Sequence, residues 1–124
     1  MTTLSDYHVV ADRPRSLTDD AGIVDLNFNP PNDIVLSGNA VHRPILSWRV
    51  DPTSEGTKFI VRLPEGNHTV GSFNLGGGVS RHFTEVIPFS SLNTGNQSIV
   101  FDSSSGNAKV SDVVVWFKRN IDTT

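Results

Sequence analysis

The side chains with chemistry to offer are four histidines, a scatter of aspartates and arginines, and two tryptophans. His8, His42, His68 and His82 are far apart in the chain and form no helical or close-spaced pair of the kind metal sites use. His68 and His82 fall on neighbouring predicted strands, where two imidazoles could meet across a sheet, yet no third ligand is identifiable. A histidine base also needs a serine or carboxylate tied to it, and no spacing supplies one. Asp19, Asp20, Asp25 and Asp112 are oxygen donors of the type calcium takes, although not in EF-hand order. Asp19 and Asp20 also read as plain loop charges. Asp112 opens a very apolar run, where a turn hydrogen bond is the plainer role. His42, Arg43, Arg49, Arg81 and His82 can grip hydroxyls or carboxylates, because arginine forks suit planar acceptors; solvation of a sheet face is the plainer reading. Trp48 shares its parity with Leu46 and Val50 and reads as core. Trp116 alternates away from Val115 and Phe117, which puts its ring on an outer face, open to a ligand or a partner subunit. Gly76-Gly77-Gly78 lacks the lysine and following helix of a phosphate loop and reads as a turn.

These residues must be positioned by strands. Phe59, Val61 and Leu63 alternate with Lys58, Ile60 and Arg62, the period of a half-buried strand. Pro64-Glu65-Gly66-Asn67 is turn chemistry, and His68–Leu75 resumes an extended pattern, so Lys58–Leu75 reads as a hairpin. Val79–Ile87 is the next strand, stopped by Pro88. Asn93-Thr94-Gly95-Asn96 is a turn, Ser98–Asp102 a short strand and Ser103–Asn107 a polar loop. Ala108–Phe117 is apolar on both faces, with Val113, Val115 and Phe117 on one and Val114 and Trp116 on the other. Such a strand is central in a sheet or covered on both sides. Earlier in the chain, Met1–Asp6 reads as a frayed terminus. Tyr7–Ala11, Ala21–Phe28, Asp33–Leu36 and the part of Ala40–Val50 after Pro44 read as strands. About eight or nine strands with Gly, Asn and Pro punctuation, and no long helical periodicity, predict one all-β domain over residues 1–124, an antiparallel sandwich or barrel, and the count suits a jelly roll.

The second half of the chain resembles a galactose-binding-like jelly roll. The resemblance lies in Lys58–Leu75, in Phe83-Thr84-Glu85-Val86-Ile87-Pro88, in Leu92-Asn93-Thr94-Gly95-Asn96-Gln97-Ser98-Ile99-Val100-Phe101 and in the closing Ser111-Asp112-Val113-Val114-Val115-Trp116-Phe117. Domains of that kind accompany many glycosidases as sugar-binding modules. The resemblance therefore implies a lectin-like carbohydrate-binding module with saccharide at a loop-end cleft; the candidates for holding it, on side-chain chemistry alone, are His42, Arg43, Arg49, Arg81, His82 and Trp116. The resemblance also raises calcium at Asp19, Asp20, Asp25 or Asp112. The matched residues are turn formers and core positions, which report the fold more than the ligand.

Composition narrows the field. The chain has 124 residues, ten basic and thirteen acidic, for a formal charge of −3. That is an ordinary surface with no electrostatic footprint for nucleic acid. With no cysteine, disulfides, thiol nucleophiles and thiolate metal sites are excluded. No apolar run approaches the length of a membrane span. Met1–Val10 has no basic or apolar leader region, so the chain as given is expected to be cytoplasmic, or extracellular if a leader was removed or export is non-classical. Asn67-His68-Thr69 and Asn96-Gln97-Ser98 match glycosylation sequons, which matter only in a secreted eukaryotic protein.

Three functions fit. The first is a non-catalytic glycan-binding module, which weak single sites would make a homo-oligomer. The second is a structural or partner-binding subunit, with Trp116 or edge strands in the interface. The third is a small enzyme, a cyclase or isomerase, with His42, His82, Glu85 or Asp112 as acid or base in an interior pocket.

Overall fold

A computed structural model describes residues 2–18, 23–76 and 78–121. They form an antiparallel β-sandwich with a jelly-roll layout. Nine strands run in chain order: β1 (Thr2–Ala11), β2 (Arg15–Leu17), β3 (Ile23–Phe28), β4 (Ile45–Pro52), β5 (Lys58–Leu63), β6 (His68–Asn74), β7 (Arg81–Val86), β8 (Gln97–Ser105) and β9 (Ala108–Ile121). One sheet has the order β1-β9-β4-β7, with β2 pairing the start of β9; the other has the order β3-β8-β5-β6. β1 and β2 lie along the same edge of β9, separated by the break at Asp12–Pro14.

Alternation puts one face of each strand into a shared core. Val24, Leu26 and Phe28 come from β3, Phe59, Val61 and Leu63 from β5, and Val113, Val115 and Phe117 from β9. Trp48, fully buried, is the centre of an aromatic cluster. It stacks on Phe83 at 5.3 Å and meets Phe73 (5.3 Å) and Phe101 (5.7 Å) edge-on. Each such pair contributes roughly 0.5–1.5 kcal/mol beyond its buried area.

The central place of β9, between β1 and β4, is as its apolarity predicts. Its second face is not covered: Val114 is half-buried and Trp116 exposed. Four other expectations are corrected. Where the sequence suggests a frayed Met1–Asp6, Thr2–Asp6 pair with the far end of β9, which runs on to Ile121, and Met1 lies outside the described residues. Asp33–Leu36 is not a strand. Pro30 and Pro31 precede it, and it only straps the end of β9, through the Ile34–Arg119 bridge and backbone bonds from Val35 to Lys118 and from Asn120 to Asp33. Ser103–Ser105 belong to β8 rather than a loop. Their hydroxyls donate to the carbonyls of Gly106, Lys58 and Gly56 and hold the strand end through its bulge. Asp112 sits inside β9, not at its start. It adopts φ +52° at a bulge where β9 gains one residue on β4, a left-handed position that aspartate tolerates better than most residues.

Candidate functional site

The outer faces of the two sheets differ in character. On the β3-β8-β5-β6 sheet, Asp25, Asn27, Ser98, Arg62 and Asp102 alternate with core residues. Arg62 pairs with Asp102 at 3.3 Å, and the Glu65 carboxylate accepts from Ser98 N and Oγ, both at 2.9 Å. These bonds, the backbone one foremost, hold the Glu65 carboxyl below its ordinary range. That face is mixed: Ile23 is exposed on it and Ile60 and Val100 lie among its polar residues, and Arg62, Asp102 and Glu65 already have partners.

The open face of the other sheet is apolar at its centre. Tyr7, Trp116, Ile45 and Val86 lie abreast across β1, β9, β4 and β7, and Val9, Val114, Ser47 and Thr84 form the next row. Tyr7, Val9, Val86 and Trp116 are all exposed, Trp116 by 45%. Residues two apart on a strand stand on the same side about 7 Å apart, so the two rows form a continuous surface. Tyr7 and Trp116 contact each other with ring centroids 5.1 Å apart and tilted by 38°. The indole Nε1 of Trp116 donates to Ser47 Oγ at 3.2 Å, which fixes the ring on the face.

A groove of about 250 Å³ opens at one end of this face. Its walls are Trp116, Ile45 and Lys118 from the sheet, and Val41 and Arg43 from the segment before β4, with Ser5 and Asp6 at the edge. Ala40–His42 forms one 3-10 turn, and Pro44, which donates no hydrogen bond, precedes the strand. Arg43 is exposed; its backbone N–H donates to Ala40 O at 3.1 Å, while its guanidinium has no ion pair or hydrogen bond among the described residues. Lys118 donates to Ser5 Oγ. His42 Nδ1 is buried without a partner beside this rim.

At the other end of the face the charges are already engaged. Arg49 is directly opposite His82 and pairs with Asp51 at 3.0 Å. The Asp51 bond is the main cause that holds Arg49 charged beyond its ordinary range, with Asp112 adding a small electrostatic part. The Arg49 bond and one from Ser80 hold Asp51 below the usual carboxylate range.

The structure thus gathers Trp116, Arg43, Arg49 and His82 along one face, with His42 at its rim. Arg81 is different: it shares the parity of Phe83 and stands at the sandwich edge. His68 and His82 do not meet across a sheet, since they belong to β6 and β7 of different sheets. Asp25 and Asp112 lie on opposite outer faces and cannot share an ion. Asp19 and Asp20 lie outside the described residues, among which no group of three His, Cys, Asp or Glu side chains converges. Trp48 is core, as its parity predicts. Tyr7, Ser47 and Lys118 were not singled out by sequence. Tyr7 carried the signal of an alternating strand, but its pairing with Trp116, 109 positions later, is written only in the register.

No protein-family model matches the sequence, and no curated protein matches it. Solved structures do resemble the fold. A β-porphyranase of glycoside hydrolase family 86 from the human gut bacterium Bacteroides plebeius superposes with a TM-score of 0.66 at 15% identity, over 97% of this chain and 21% of that one. The carbohydrate-binding module CBM36, solved in complex with calcium and xylotriose, gives 0.52 at 20% identity over 93% and 98%. Dimeric latent PorU from Porphyromonas gingivalis gives 0.57 at 13% identity over 95% and 13%. The chain spans about a fifth of the length of the porphyranase it matches. At such identities the likeness is one of fold: this is the jelly-roll sandwich that carbohydrate-binding modules also have.

Proposed function

We propose that this chain is a non-catalytic carbohydrate-binding module that holds a saccharide against Trp116 and Tyr7. The binding place is the groove where residues 39–44 rim the five-stranded sheet. One observation carries the reading: two exposed aromatic rings in contact on a sheet face, the indole locked by Ser47, beside a groove with unpaired hydrogen-bond donors. Flat rings offer apolar area to a sugar face at little entropic cost, and the rim groups orient its hydroxyls. The expected loop-end cleft is thereby moved onto the end of the sheet, bordered by one loop. The carbohydrate-binding module CBM36, solved in complex with calcium and xylotriose, shares the fold and supports the class. An enzyme with an interior pocket fits less well, since Trp48, Phe59, Phe73, Phe83 and Phe101 fill the space between the sheets.

The test is affinity electrophoresis through a panel of soluble polysaccharides, followed by calorimetry on whichever retards the protein. Trp116→Ala is expected to weaken binding at least tenfold while its thermal melt stays near that of the parent. Unchanged binding by this variant, or no retardation by any polysaccharide, refutes the proposal.

A second reading is favoured by the aliphatic share of the same face. Val9, Val41 and Val86 are exposed beside Trp116, and such a patch suits a second protein surface. Sedimentation velocity across a concentration series separates the two. A dimer that Val86→Asp dissolves would place an interface here; a monomer at every concentration would remove that reading.

A further inference from the structure

We infer that the saccharide this groove takes is anionic, with a carboxylate or sulfate ester seated between Arg43 and Lys118 beside the ring of Trp116. The inference rests on the carbohydrate-binding reading and narrows its substrate class. Its ground is an asymmetry of charge along one sheet face. The described arginines in ion pairs are already committed: Arg49 to Asp51, Arg62 to Asp102, and Arg119 to Asp6 and Asp33. Arg43 has no such partner, and Lys118 is bonded only to a neutral serine hydroxyl. Both line the same groove as Trp116.

Asp6 is the carboxylate at that groove, and it is occupied. It accepts from the backbone N–H of Tyr7 at 2.8 Å and from Arg119 Nη1 at 3.1 Å. By strand alternation it points away from the Tyr7 side of β1. Arg119 is shared between Asp6 and Asp33, so that cluster keeps one net negative charge at the groove's edge, and Arg43 and Lys118 outnumber it two to one. Lys118 stands two residues beyond Trp116 on β9, and Arg43 two residues before Ile45, which is abreast of Trp116. One sugar ring on the indole would bring a ring substituent within reach of both. The arginine fork matches the planar oxygens of a carboxylate or the face of a sulfate, and the ammonium adds a point charge. The net charge of −3 does not oppose this, because solvent ions screen charges more than about 8 Å away at physiological salt.

The test uses three sets of oligosaccharides of equal length: neutral xylo- and cello-oligosaccharides, oligogalacturonates bearing carboxylates, and sulfated carrageenan oligosaccharides. Calorimetry is run at low and high sodium chloride with the full chain and with Arg43→Gln, Lys118→Gln and, as control on the opposite sheet, Arg62→Gln. One acidic set should bind at least fivefold tighter than the neutral set and weaken as salt rises. Arg43→Gln and Lys118→Gln should each reduce that binding about tenfold, the scale of one charge-assisted hydrogen bond, while Arg62→Gln binds like the parent. Which acidic set responds identifies carboxylate or sulfate. Neutral sugars binding as well as acidic ones, or Arg43→Gln and Lys118→Gln leaving acidic binding intact, would overturn this inference alone. No binding by any set would overturn it together with the carbohydrate-binding reading.

Discussion

Gly66→Ala tests the packing that closes the sandwich next to the β5–β6 hairpin. Gly66 ends the 3-10 turn Pro64–Gly66, which packs against a second 3-10 turn, Phe89–Ser91. A Cβ on Gly66 would stand 2.3 Å from the Ser91 carbonyl oxygen, 2.5 Å from its Cα and 2.6 Å from its carbonyl carbon. Ordinary contact begins at 3.4 Å, so one turn must retreat by about 1 Å in an interior packed like a crystal. All three atoms are backbone, and no side-chain rotation relieves the overlap. The segment that must move carries Ser91 and Leu92, exposed by only 1% and 2%. Gly66 itself is not left-handed, so the clash is the main cost. Overpacking of this kind costs about 1–3 kcal/mol, and rigid buried neighbours place Gly66→Ala at the upper end. With an unfolding entropy of about 2.1 cal/mol/K per residue, 1 kcal/mol is worth about 4 °C in a chain of this size. The expected loss in Tm is therefore about 8–12 °C, read by circular dichroism with a urea titration to confirm it. Gly76→Ala is the control: its nearest neighbour is Asn74 Oδ1 at 3.9 Å and its φ is not positive, so the change should stay within about 0.5 kcal/mol. If Gly66→Ala melts within 2 °C or so of the parent, the two turns do not pack as described.

Acid should loosen the strap over the end of β9. The backbone N–H of Tyr7 and then Arg119 hold Asp6 below its usual 3.8, and Arg119 does the same for Asp33. Both folded pKa values lie below the unfolded one, so their stabilisation is complete above about pH 4 and fades as pH falls through the folded values; Arg119→Gln should flatten that part of a Tm-versus-pH curve, and an unchanged acid limb would refute the coupling. Phe101→Ala, in the fully buried aromatic cluster, should cost about 3–5 kcal/mol in urea unfolding, and a cost under about 1 kcal/mol would deny it a core position. Asp112→Val places a β-branched residue at φ +52° and should destabilise by about 1–2 kcal/mol, whereas Asp112→Gly should not; equal melts would show that the bulge relaxes freely. Trp48 is buried and Trp116 exposed, so acrylamide should quench about half of the tryptophan emission and Trp116→Phe should abolish that quenchable part.

What the sequence determined by itself was periodicity and punctuation. Alternation assigns Phe59, Val61 and Leu63 to the core, and Pro64–Asn67 to the turn between β5 and β6. It also separates the buried Trp48 from the exposed Trp116, because the side-chain period of a strand is two whatever its partner is. A sandwich or barrel follows from the number and spacing of such runs, and the resemblance of the second half to a galactose-binding-like jelly roll points to the sandwich. Local pattern gave wrong readings where a distant strand supplied the missing order. Thr2–Asp6 looked frayed until paired with the far end of β9, Ser103–Ser105 looked like loop until their hydroxyls met β5 and Gly56, and Asp33–Leu36 looked like strand because its bonding to β9 is not visible locally. The candidate site was legible as a set of residue types. Trp116, Arg43, Arg49 and His82 could be named, but not that they share a face with Tyr7, Ser47 and Lys118, nor that Asp25 and Asp112 stand on opposite sides. Those facts are register, and register joins residues more than a hundred positions apart through backbone hydrogen bonds that carry no side-chain signature. Only the tertiary structure decides which cations keep a partner and which are left free, since each ion pair depends on strands the sequence does not order.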